Sequence, residues 1–208
     1  MKYIILIVII IFIIIFIIYK FYSTKPLILN NKQTKFKKTL EGMADILESV
    51  NIPFFLSCGT SLGAHREKKF IEHDLDIDLG IFENISYQKI INNVVKSNKF
   101  IIINKWPKNT DVKDLTEVTF GHIKTRVKVD IFKHFKKNNK YLSVAYTGKC
   151  DNKPRNRCEW LNPINLISMK FLNRYYMVPD MEYIKSRYGS DWNIPKIQIY
   201  YNQESIIN

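Results

Sequence analysis

Three things are scarce in this 208-residue chain. Cysteine occurs three times, too few for a disulfide framework to stand in for a core. Glycine and proline occur seven times each, and the chain has no internal repeat or long low-complexity run. Acid and arginine are both missing from residues 1–38, which carry seven lysines. That absence splits the net charge of +13: residues 39–208 hold 25 bases and 19 acids and keep only +6. At 46% hydrophobic and 25% charged residues, disorder of the whole chain is excluded. The 170 residues after the lysine-only stretch suffice for one domain with a real core and are too few for two ordinary ones.

Tyr3 to Tyr19 carries no charge and is mostly Ile. With Phe21 and Tyr22 it reaches about 20 residues, roughly 30 Å as a helix, which predicts a single transmembrane helix over 1–22. Tyrosines at both ends fit an aromatic belt. The apolar run is long for a signal peptide, and no small-residue cleavage site follows it. Residues 23–38 read as a basic stalk. Lysines after the span outnumber Lys2 before it, so the positive-inside rule places the domain in the cytoplasm.

Beyond the stalk, residues 39–208 mix strands and helices, so the expected class is α/β, with a mixed α+β sheet. Phe36, Leu40, Met43, Leu47 and Val50 recur at helical spacing over 34–50. Further helices are expected at 86–97, 162–172 and 179–188. Strands are expected at 54–57, 77–82, 99–104, 115–123, 126–135, 141–146 and 175–178.

The chemistry concentrates between 56 and 80. Asp74, Asp76 and Asp78 alternate with Leu75, Ile77 and Leu79, so a strand would place three carboxylates on one face. One reading is a solvated edge strand. The other is a cation site, since close carboxylates repel unless a cation joins them, and hard oxygen ligands suit Mg²⁺ or Mn²⁺. Upstream, Gly59 can bring backbone amides close to an anion, and Thr60 and Ser61 add hydroxyls at a helix start. Strand, glycine turn, helix and carboxylate strand together are a narrow constellation. A later strand, 126–132, adds Asp130, which could complete a metal site or take a proton from an attacking hydroxyl.

These residues resemble the LicD/fukutin family of phosphotransferases, members of the nucleotidyltransferase (DNA polymerase β-like) fold superfamily. Gly59-Thr60 matches the glycine turn, Asp76-Ile77-Asp78-Leu79 the carboxylate strand, and Asp130 the third acid. Leu62, Gly63, Ala64, Arg66, Phe70, Ile71 and Asp74 fit the same pattern without a gap. Downstream, Val178-Pro179, Tyr183-Ile184, Tyr188-Gly189, Asp191-Trp192 and Pro195 fit the family's ending. Lys69 and His73 depart from the LicD-like pattern, and no departure removes a carboxylate. The resemblance implies transfer of a phospho-alcohol, such as phosphocholine or ribitol phosphate, from a CDP-linked donor to a glycan hydroxyl. By the same resemblance, Asp76, Asp78 and Asp130 are catalytic and hold the metal. Gly59, Thr60 and Ser61 cradle phosphate, and Asp74, Arg66 and His73 lie just behind the metal ligands or touch the donor. Fukutin-like proteins suggest a Golgi or ER lumenal domain, against the cytoplasmic side read from charge.

Other readings remain open. The same carboxylates would serve a nucleotidyltransferase attacking an α-phosphate, and a non-enzymatic membrane-bound module would need none of them. Nucleic acid is not an expected partner, because the domain's +6 is modest and has no arginine–aromatic stripe. Cys58 reads as a packed thiol. Cys150 and Cys158 flank a basic loop and would pair in an oxidising lumen but stay free in the cytoplasm. Asn84-Ile85-Ser86 is a sequon that matters only in a lumen. Tyr188, Trp192 and Pro195 read as a C-terminal clasp.

Overall fold

The computed structural model describes residues 10–15, 30–146, 149–150, 153–154, 157–196 and 206–207. The chain divides into two units, Met1–Asn30 and Asn31–Asn208. In the first, residues 10–15 are helical with exposed apolar side chains. Among the described residues no helix is long and apolar enough to cross a membrane. The single-pass anchor over 1–22, and the membrane localisation that followed from it, are therefore corrected. Apolar composition suggested a span, but a span also needs one continuous helix. The remainder of 1–22, and residues 23–29 of the stalk, lie outside the described residues.

The second unit begins with α1 (Asn31–Ser49), so residues 31–38 of the stretch read as stalk are helix. Phe36, Leu40, Met43, Ala44 and Leu47 are buried along it at the spacing of one helical stripe. Next come β1 (Phe55–Leu56), α2 (Cys58–Arg66), β2 (Asp76–Phe82), α3 (Tyr87–Lys96) and β3 (Phe100–Trp106). β4 (Glu117–His122), β5 (Lys128–Lys137) and β6 (Lys140–Ala145) follow, then the short β7 (Lys149–Cys150) and β8 (Lys153–Pro154). β9 (Cys158–Asn162), β10 (Leu166–Phe171), β11 (Arg174–Pro179), α4 (Met181–Tyr188) and β12 (Ile206–Ile207) complete the order.

The main sheet runs β1-β2-β5-β6-β9-β12, with β4 paired to β5 and β3 to β4. β2 and β5 are parallel, and their register sets Asp78 beside Asp130. Among the described residues every other strand pair in this sheet is antiparallel, so the sheet is mixed, as the sequence suggested. One sheet face packs on α1 and α3 through Ile77, Leu79, Ile81, Val129 and Ile131, all fully buried.

The helix expected over 162–172 is absent. β9 ends at Asn162, β10 occupies most of that stretch, and β10 forms a hairpin with β11. Leu172 and Asn173 make its two-residue turn, both with positive φ (49° and 75°), the backbone of a tight hairpin turn. Apolar residues here fit either period, and the turn decides. α4 starts where Asp180 accepts from the amides of Glu182 (2.9 Å) and Tyr183 (3.3 Å), and ends at Gly189 with φ 87°. Cys158 is disulfide-bonded, whereas Cys58 is free.

Candidate active site

α2 begins immediately after β1, so the glycine turn is the first turn of the helix and not a loop ahead of it. Cys58 takes the left-handed conformation (φ 41°) that makes this corner. The Gly59 amide donates to Asp78 Oδ2 (2.8 Å), and the Asp78 amide donates to Thr60 Oγ1 (2.9 Å). Ser61 Oγ donates to the Cys58 carbonyl (2.8 Å). Gly59 and Thr60 thus brace the carboxylate strand, and Ser61 braces the first turn of the helix itself. Gly59 must lack a side chain, because a methyl there would overlap Asp74 Oδ2 and press on Asp78 Oδ2.

β2 starts at Asp76, so Asp74 reaches the cluster from the preceding loop, and Leu75 is exposed instead of sharing the apolar face. α1 pins that loop. Gln33 Nε2 donates to the Phe70 carbonyl (2.7 Å), the Phe70 amide donates to Gln33 Oε1 (3.0 Å), and Lys32 donates to the Ile71 and Glu72 carbonyls. One carboxylate oxygen each from Asp74, Asp76 and Asp78 lies within 4.8 Å of the others, a spacing that could hold a metal ion. Asp130 stands next to them on β5, and its Oδ1 is buried with no hydrogen-bond partner among the described residues.

The cleft above these acids holds about 360 Å³ and is also lined by Glu117, Tyr146, Trp160 and Arg187. Pattern reading missed Glu117 and Arg187. Register brings Glu117 in, opposite Phe132 and two positions along from the Thr119–Asp130 pair, on the same face. Arg187 comes from the buried side of α4 and sits 4.4 Å from the centre of the Trp160 ring. Arg66 and His73 line a separate hollow with Leu62, Tyr188 and Trp192, where Arg66 binds Glu67 and the Trp192 carbonyl. Tyr188 and Trp192 pack on the cluster of Phe55, Leu62, Tyr183 and Ile184, as a clasp would.

Confinement loads the acids. Burial, then the Asp76 charge, pushes Asp74 up to about 7. Burial, followed by Asp76, Asp74 and Asp130, holds Asp78 well above the usual carboxylate range, with Arg187 pulling the other way. Asp130 is raised to about 6 by burial, which the Thr119 hydroxyl partly offsets. Glu117 is raised to about 8, by burial and then by Asp130. Buried carboxylates that repel one another are what a divalent cation relieves, and an all-oxygen donor set matches a hard ion. The Cys58 thiol is pushed up to about 11, mainly by burial, and so is poorly suited to act as a nucleophile.

A mixed sheet presenting clustered carboxylates behind a glycine-started helix defines a nucleotidyltransferase-type domain. The family model described as LicD/FKTN/FKRP, nucleotidyltransferase domain, matches residues 51–181, and this chain belongs to that family. Two relatives are both called ribitol-5-phosphate transferase FKTN. The one from Macaca fascicularis is 31% identical over 162 residues and the one from Homo sapiens 30%. Each match covers 76% of this chain but only 33% of the relative, so the chain spans about a third of their length. The solved structure of ANT(2")-Ia with adenylyl-2"-tobramycin resembles it at a TM-score of 0.42 and 10% identity, over 71% of this chain and 70% of that one, a likeness too distant to decide anything.

Proposed function

We propose that this protein transfers a phospho-alcohol from a CDP-linked donor to a hydroxyl of a glycan. The supporting observation is the set of Asp74, Asp76 and Asp78 oxygens within 4.8 Å, with Asp130 beside them. The names of the relatives favour ribitol phosphate over phosphocholine as the transferred group. A divalent ion, Mg²⁺ or Mn²⁺, held by Asp76 and Asp78 with Asp74 or Asp130, would neutralise the donor diphosphate and the charge that develops on the leaving phosphate. Asp130 accepts the proton of the acceptor hydroxyl, and its unpartnered Oδ1 is the atom for that task. The hydroxyl oxygen forms a bond to the distal phosphorus, the bond to the bridging oxygen breaks, and CMP leaves. Arg187 supplies the cleft's positive side chain, and Trp160 and Tyr146 supply aromatic surface for the base. Gly59, Thr60 and Ser61 hold the floor on which the phosphates rest. Arg66 and His73, in the adjoining hollow, shape the approach of the alcohol portion.

The test incubates the full chain with CDP-ribitol, CDP-choline, CDP-glycerol and nucleoside triphosphates, in the presence of Mg²⁺ and a glycan acceptor. CMP release that disappears in Asp76→Asn or Asp78→Asn supports the reading. Pyrophosphate release from a triphosphate would replace it with nucleotidyl transfer. Absence of release from every donor, together with absence of Mg²⁺ binding, would overturn both.

A further inference from the structure

On the helix-covered face of the sheet, β5 carries a residue the phosphotransferase reading does not use. Lys133 pairs in register with Ile81 and is only 5% exposed. Its ammonium lies 4.7 Å from the centre of the Tyr87 ring. Among the described residues it makes no ion pair and no hydrogen bond through that ammonium. Asp114 acts on it at longer range, and burial lowers its pKa below the usual lysine value.

Tyr87 is the first residue of α3, a ten-residue helix. Ser86 sits at the cap position, but its side chain accepts no hydrogen bond there. The helical ladder starts only with the Ile90 amide donating to the Ser86 carbonyl (3.3 Å), so the amides before it have no acceptor within the helix. Lys133, Ser86, Tyr87 and Gln88 line one cavity of about 600 Å³. Two acids share its rim and are already engaged. Glu83 accepts from the Lys136 amide (3.0 Å), and Asp111 faces Lys113 at 3.8 Å.

A lysine that is only 5% exposed, beside the positive end of a helix, has only the more distant Asp114 acting against its charge, and each feature favours the same kind of guest. We propose that this cavity binds a small oxyanion, a phosphate or sulfate group either free or carried as an ester, between Lys133 and the amides that open α3. The site lies on the opposite sheet face from the carboxylates and stands whether or not they transfer phosphate.

The experiment titrates the full chain with inorganic phosphate in EDTA, so that no metal recruits phosphate to the carboxylate cleft, and follows amide NMR signals. Saturable shifts of the Tyr87 and Gln88 amides are expected, as is displacement by sulfate but not by chloride at equal ionic strength. Affinity should fall about 10-fold or more in Lys133→Gln and stay unchanged in Asp78→Asn. A phosphate monoester that binds more tightly than phosphate identifies an esterified guest, and one that binds no better identifies the free ion. Still Tyr87 and Gln88 amides in the intact chain would overturn the proposal, as would unaltered affinity in Lys133→Gln. Should that variant not fold, Lys133→Arg retains the charge and should retain binding, while the unmodified chain still decides the matter.

Discussion

β2 and β5 carry opposite loads on their two faces. Toward α1 and α3 they present Ile77, Leu79, Ile81, Val129 and Ile131, each fully buried. On the other face the same strands present Asp76, Asp78 and Asp130, with Glu117 arriving from β4. The apolar face gains free energy as water leaves it. The acidic face loses free energy for the same reason, as its raised carboxylates record. Stability and chemistry therefore separate by side-chain direction within two strands, and substitutions on the two faces should have effects of opposite kind.

The largest expected effect is Asp78→Asn. Transfer should fall by roughly 10³-fold, because the buried acid both contacts the Gly59 amide and belongs to the cluster. In EDTA the same variant should melt at a higher temperature than the unmodified chain, since it removes one of five clustered acids. CMP release and thermal melts measure the two halves, and a lower melting temperature in EDTA would refute the strained-face argument. Leu79→Ala, one residue along, should do the reverse. It should cost about 2–5 kcal/mol of stability by chemical denaturation while activity per folded molecule is kept. Gly59→Ala comes next. Its methyl would displace Asp74 and crowd Asp78, so Mg²⁺ affinity should drop roughly 10–100-fold by calorimetry.

Much of the acidic face was legible because alternation is a local signal. Asp76, Asp78 and Asp130 each lie where period two on a strand puts them, and family membership bears out the resemblance carried by residues 56–80 and the ending. Asp74 was expected on the strand, but β2 begins two residues later and the acid comes in from a loop held by Gln33 across 37 residues. Glu117 and Arg187 needed register and helix packing, which no local pattern encodes. A single acid inside the expected strand 115–123 was the hint of Glu117. The stretch 162–172 went wrong because its apolar residues suit both periods, and a two-residue turn settled the matter. The anchor rested on apolarity alone, whereas a span needs a long apolar helix, and the described residues contain none.

The smallest predicted effect is a pH slope, and it reads the contrast between faces directly. Glu117 and Asp74 have folded-state values of about 8 and about 7, above ordinary values of 4.5 and 3.8. A raised acid holds its proton in the folded state after the unfolded chain has released it. Its contribution is complete below about pH 4 and is lost as pH rises through the folded value. His134 acts in the opposite sense, since burial lowers it to about 4, but above about pH 7 it is neutral in both states. Between about pH 7 and 9 the acids therefore dominate, and the melting temperature in EDTA should fall across that range. Mg²⁺ should blunt the fall, because it binds the deprotonated form and competes with protons. Leu79→Ala should lower both curves without changing their separation, and Asp78→Asn should narrow the separation. A flat EDTA curve over this range would mean that the acidic face carries no strain for a metal ion to relieve.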